Sequence, residues 1–149
     1  MRVMFGEFIK RLTQPEPVAL ADADARLALC ALLVRIARAD HDYSDVEKQR
    51  IDDVLRARFA LNDDDARALR AQGEIAETEA PDTVRFTRAI KEAVAYEDRL
   101  GVVQAMWQIA LADGGRAQEE DAIVRLASNF LGVTDRDSAL ARQGAQAKS

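Results

Sequence analysis

The chain is poor in the residues that build sheets, disulfides and loops: one cysteine, three prolines, seven glycines and only 5% aromatics in 149 residues. A lone cysteine excludes an intrachain disulfide, and the setting of Cys30 in "ALCALLVRIA" makes it a small buried hydrophobe without an activating neighbour. Alternating Val/Ile/Thr/Tyr runs are missing, and no Asn-Gly or Asp-Gly hairpin joins such runs, which excludes a sheet. No apolar run reaches transmembrane length, and the N-terminus lacks the apolar core and cleavage site of a signal peptide. The expected compartment is the cytoplasm, with no integral membrane segment. With a single histidine, His41, and no G-x-S-x-G, a Ser-His-Asp arrangement is not available. The "GG" at 114–115 is too short for a phosphate-binding loop. No catalytic constellation remains, so the chain is not expected to be an enzyme. A net charge of −5 excludes general affinity for nucleic acid, which needs clustered Lys and Arg.

What is present is a helical vocabulary. The chain is 48% hydrophobic, and alanine, leucine and arginine lose little entropy in a helix. The fold class is therefore all-α, a compact bundle of about seven to eight helices in one domain, residues 1–149, with its core at about 20–140. Residues 1–19 read as an N-terminal amphipathic helix, "RVMFGEFIKRL", and a linker stopped by Pro15 and Pro17. That helix packs on its own domain in the simpler reading and offers peripheral membrane association in the other. A second helix starts near Asp22 or Asp24 and runs to about Ala39, with Leu29, Leu32, Leu33 and Ile36 in register. A third follows "ADHDY", where Ser44 and Glu47 form the S-x-x-E capping box, and buries Ile51, Val54, Leu55 and Phe59.

A fourth helix is capped by Asn62 or Asp63, and "GEIAETEAPD" reads as an irregular link after it. Asp82 can cap a fifth helix carrying Phe86, Ile90 and Val94, and "AYEDR" reads as a break or kink. The sixth, with Leu100, Val103, Trp107 and Ala110 on its apolar face, is expected to end at Gly114 or Gly115. The seventh, about 117–131, is expected to bury Ile123, Ala127, Phe130 and Leu131 before Gly132 ends it. Thr134 or Asp135 caps a short last helix, and the tail at 141–149 is expected to fray.

Two segments align without a gap. "ALLVRIARADHDYSDVEKQRI" (31–51) lies on "QAMWQIALADGGRAQEEDAIV" (104–124), matching Ile36 with Ile109, Asp40 with Asp113, Glu47 with Glu120 and Ile51 with Val124. Each reads apolar helix, Ala-Asp, turn, then a helix with an acid in its first turn, as expected of a duplicated helix-turn-helix. Glu47 is accounted for by the capping box, and Glu120 by attraction to a helix N-terminus. Asp40 and Asp113 are not, because each sits at a helix C-terminus, where the macrodipole disfavours negative charge. If the repeats pack face to face, four carboxylates converge, and their repulsion calls for a cation or for protonation. The spacing is not an EF-hand, since "DHDYSDVE" lacks the central glycine and the full loop.

These motifs, "ALADGGRAQEEDAIV" and "ARADHDYSDVEKQRI", resemble the signature of the tellurite-resistance TerB-like family, as does "FTRAIKEAVAYEDRLGVVQAMWQIALADG" leading into the second. The resemblance covers roughly residues 20–140 and implies an all-helical fold with two pseudo-repeats. It also implies a divalent metal held by Asp40, Glu47, Asp113 and Glu120. His41, where the family pattern has glycine, is a possible extra ligand and tolerates the left-handed region. Oxygen donors favour Ca²⁺, Mg²⁺ or Mn²⁺, and His41 admits Zn²⁺. The expected function is a non-enzymatic binding or sensing module of tellurite resistance or stress response. The alternative is a protein–protein interaction module in which the acids serve only as helix caps and an unidentified protein is the partner.

Overall fold

A computed structural model describes residues 22–39, 43–80, 83–111 and 118–147, and all further structural statements concern these. They form seven helices and no strand: α1 (Asp22–Arg38), α2 (Asp45–Phe59), α3 (Asp63–Glu79), α4 (Val84–Ala93), α5 (Tyr96–Ala110), α6 (Gln118–Phe130) and α7 (Asp135–Ala147). The N-terminal helix expected before Pro15 lies outside the described residues. No described helix is long and apolar enough to cross a membrane.

The architecture follows from α1. From Leu27 to Val34 every residue of this helix is buried, and Ile36 and Ala37 are buried too. A helix that is apolar all round must be surrounded, and α1 packs against α2, α3, α4, α5 and α6. The second apolar helix, α5, buries Val103, Met106, Trp107, Ile109 and Ala110 and carries α7 and α6 on its other sides.

Local sequence sets most boundaries. The capping box at α2 forms as expected: the Glu47 backbone N–H donates to Ser44 Oγ at 3.2 Å, and the Ser44 backbone N–H donates to Glu47 Oε1 at 3.1 Å. Asn62, rather than Asp63, caps α3 by accepting from the Asp65 N–H at 2.8 Å. The break expected in "AYEDR" falls at Val94 and Ala95, both extended, just before Tyr96 opens α5. Arg99 straps it there, donating to the Val94 carbonyl at 3.0 Å and the Leu131 carbonyl at 2.9 Å. Gly132 ends α6 at φ +75°, and Thr134 caps α7 through the Asp137 N–H.

Four expectations are corrected. "GEIAETE" is not a link but the last turns of α3, because Gly73 lets that helix lie against Cys30 of α1 and Ala76 is buried below it. Helix α5 ends at Ala110, with Leu111 as its cap, before the glycines of the turn, which lie outside the described residues. Phe130 is exposed, because the buried stripe of α6 runs Val124, Ala127, Leu131 and leaves Phe130 beside it. The tail does not fray through 141–147: α7 continues to Ala147, with Ala141 and Ala145 buried and Gly144 close to Gln104 of α5. Small residues permit that close approach and give little hydrophobic signal in the sequence.

Candidate functional site

Of the five residues singled out as metal donors, Glu47 is described in full. It sits in the first turn of α2 and is 1% exposed. Its Oε1 accepts from both the backbone N–H of Ser44 and the Ser44 hydroxyl, at 3.1 and 3.3 Å. The expected capping box is therefore real, but the carboxylate is far more buried than a surface cap requires. Asp40, His41 and Asp113 lie outside the described residues, and Glu120 is placed only as a first-turn residue of α6. Among the described residues no group of three or more His, Cys, Asp or Glu is arranged to hold a metal.

Immediately beside the first acidic turn lies a polar network that the sequence reading did not single out. Tyr43, at the entrance to α2, donates its hydroxyl to Glu74 Oε2 at 2.6 Å. Glu74 accepts from Arg70 at 3.0 Å, and Arg70 also donates to the buried Asp52 at 2.6 Å. The chain of contacts ties α2 to α3 and fixes the segment that leaves the first acidic turn. Burial, followed by the hydrogen bond and negative charge of Glu74, pushes the Tyr43 hydroxyl well above the ordinary tyrosine pKa. Cys30 lies under the same network, and burial, then the charge of Glu74, raises its thiol pKa strongly. The cysteine is thus the inert core residue that the sequence suggests. The signal available beforehand was the Arg70/Glu74 pair at i, i+4 and the acid Asp52 next to core Ile51.

On the preceding helix, Arg35 makes a second fixed junction. It donates to Glu77 Oε2 at 3.1 Å and to the carbonyls of Glu77 and Ala80 at 3.0 and 3.1 Å, and lies over the Phe86 ring. The guanidinium thereby supplies acceptor-free donors to the end of α3, whose last carbonyls have no helical partner. Both junctions are helix-to-helix braces around α1. Neither contains the nucleophile, base and oxyanion donors that acyl or phosphoryl transfer needs.

The arrangement is a rigid apolar frame, a buried carboxylate at the start of α2, and braces that hold the flanking helices. Searches of curated proteins and of solved structures returned no match. The sequence model of the family described as "Tellurite resistance protein TerB" matches residues 26–143, from the first turns of α1 into α7. That span takes in both copies of the duplicated helix-turn-helix and most of the bundle around α1, and the chain belongs to the TerB tellurite-resistance family.

Proposed function

We propose that the chain is a non-enzymatic binding module of the tellurite-resistance type that takes a divalent cation at its duplicated acidic turns. Asp40, Glu47, Asp113 and Glu120 are the oxygen donors, and the imidazole nitrogen of His41 is the optional extra ligand. The observation that supports this reading is the burial of Glu47 at 1% exposed. A capping glutamate needs only one oxygen at the helix N-terminus and loses nothing by leaving the rest in water. A carboxylate held in a buried, fixed position is a hard oxygen donor of the kind divalent cations take. Ser44 orients Oε1 from two directions, as supporting groups do for carboxylate ligands. An all-oxygen set suits Ca²⁺, Mg²⁺ or Mn²⁺, and participation of His41 would extend the range to Zn²⁺.

Calorimetric titration of chelator-stripped protein with these four ions tests the reading. Binding is expected for at least one, together with a higher melting temperature, since the ion is held by the native state alone. Asp40→Asn/Asp113→Asn is expected to abolish both. Glu47→Gln separates the roles, because glutamine serves a capping box but carries no charge. No heat and no thermal shift at millimolar metal, with the double variant behaving like wild type, would sink the proposal.

A second reading, a protein-interaction module without metal, draws support from α6. Leu126 and Phe130 are 44% and 36% exposed and sit one helical turn apart. It predicts a protein partner retained by the aspartate variants and lost in Leu126→Glu/Phe130→Glu.

A further inference from the structure

A cleft of about 360 Å³ lies between α6 and α7, far in sequence from the first acidic turn. That volume falls within the ~300–1,000 Å³ range of small-ligand pockets. Trp107 lines it, together with Arg125, Asn129, Ser138, Ala139 and Arg142. The indole is fixed: Trp107 Nε1–H donates to Ser138 Oγ at 3.2 Å, and Ser128 Oγ lies 3.4 Å from the same hydroxyl. Arg142 stacks over the ring, with its guanidinium carbon 4.8 Å from the ring centroid.

The guanidinium of Arg142 is the unusual part. Its Nη2 is buried and makes no hydrogen bond, and the nearest acidic oxygen, Asp121 Oδ2, stands 3.9 Å away. A buried donor without a hydrogen-bond acceptor is unfavourable, so the site favours an incoming oxygen. A second cation, Arg125, lines the same cleft, is exposed, and has no ion-pair partner among the described residues. Asn129 adds an exposed amide. Asp135 is the one carboxylate in the lining, and it is exposed at the start of α7. Arg142 has Asp121 as its ion-pair partner and Arg125 has none among the described residues, so Arg125, beside the exposed Asp135, is the cation left to an incoming anion. The remaining wall is apolar, supplied by Trp107 and Ala139.

We propose that this cleft binds a small organic oxyanion, its charged head held by Arg125 and Arg142 and its apolar body laid against Trp107 and Ala139. Arginine suits the task because its planar fork pairs with two oxygens of a carboxylate or phosphate at once. None of its lining residues is one of the proposed metal donors, and the binding needs no metal.

Trp107 is the only tryptophan, so the full-length protein carries its own reporter. Phenyl phosphate, benzoate, inorganic phosphate and phenol are titrated at constant ionic strength while tryptophan fluorescence is followed, with calorimetry as the second readout. Saturable binding is expected for phenyl phosphate or benzoate, at least tenfold weaker binding for inorganic phosphate, and none for phenol. The stronger of the first two identifies the preferred head group. Arg125→Gln, at an exposed position, is expected to weaken binding about tenfold without changing the melting temperature. Arg142→Lys, which keeps the charge and loses the fork, should weaken it as well. No saturable change below about 10 mM for either aromatic anion, or wild-type affinity in Arg125→Gln, overturns the assignment. Equal binding of phenol overturns the role given to the charged head.

Discussion

Gly73 offers the sharpest test of how the bundle is held together. It lies in the interior of α3, where glycine is normally a liability: alanine would favour the helix by about 0.5–1 kcal/mol. On an open helix face Gly73→Ala would therefore stabilise. Here a Cβ at Gly73 would fall 2.5 Å from Cys30 Sγ, 3.1 Å from Cys30 Cβ and 3.2 Å from the Cys30 carbonyl carbon. The sulfur can move only by rotating within a packed core, and the other two atoms belong to α1 itself. Forcing one methyl into such a site costs about 1–3 kcal/mol. Set against the gain in helix propensity, the net expectation is a loss of about 1–2 kcal/mol, or about 2–8 °C in melting temperature for a chain of this size.

A double-mutant cycle isolates the cause. Cys30→Ala removes the sulfur, the atom in severest conflict, together with its weak hydrogen bond to the Leu69 carbonyl at 3.5 Å. Gly73→Ala should then be markedly less harmful in the Cys30→Ala background, with a coupling of about 1 kcal/mol or more, as expected for residues in direct contact. Urea denaturation followed by circular dichroism measures all four corners. If Gly73→Ala is neutral or stabilising in the wild-type background, α1 and α3 do not approach as described, and the account of α3 continuing through "GEIAETE" loses its reason.

Other consequences are open to quick measurement. Arg35→Met should lower stability by about 2–4 kcal/mol in urea, because Glu77 and the last carbonyls of α3 lose a charged donor, and Arg35→Lys should not restore it. Ala60 caps α2 in the left-handed region at φ 54°, so Ala60→Gly should raise stability by about 0.5–1 kcal/mol in the same assay. Cys30 should resist thiol reagents in the folded protein and react at the rate of unfolding; rapid native-state labelling would contradict its burial. Tyr43 and Tyr96 both hold their protons more tightly than free tyrosine, the first through burial and the second through its hydrogen bond to Asp137. A raised folded-state pKa means that this stability is complete below the ordinary value of about 10 and is lost as pH climbs toward the folded one. Ultraviolet difference absorbance should accordingly show tyrosinate only above the ordinary range, accompanying alkaline unfolding; a normal transition near 10 would refute it.

Much of the fold was readable because it is written in large residues and caps. Leu29, Leu32, Leu33 and Ile36 announce α1, the S-x-x-E of Ser44 and Glu47 announces α2, and Asn62, Thr134 and Gly132 punctuate the later helices. What misled was packing by small residues. Gly73 reads as a helix breaker until Cys30 is seen against it. The family was likewise readable, since the duplicated Ala-Asp turns are local motifs. The Tyr43–Glu74–Arg70–Asp52 network was not, because it joins residues from different helices whose pairing depends on how α2 meets α3. Glu47 shows the limit from the other side: sequence supplies its cap, but only the packed bundle supplies its burial.

The C-terminal helix carries the same argument into function. "ALARQGAQAKS" contains one large apolar residue, Leu140, and that one is 54% exposed, so nothing in its hydrophobic pattern announces a packed helix. Its buried face is Ser138, Ala141 and Ala145, with Gly144 pressed close to Gln104. Residues this small bury little area each, so they hold α7 against α5 by closeness rather than by hydrophobic bulk. The same closeness puts the Ser138 hydroxyl within hydrogen-bonding reach of the Trp107 indole and lays Arg142 across its face. Had the tail frayed, neither the stacked guanidinium nor the cleft beside it would exist, and Trp107 would be partly in water. A large side chain at Ala145 should therefore detach α7 and red-shift the Trp107 emission. It should also abolish aromatic-oxyanion binding while leaving Glu47 and the first acidic turn intact. An unshifted emission in Ala145→Glu would show that Trp107 owes its burial to something other than the small-residue face of α7.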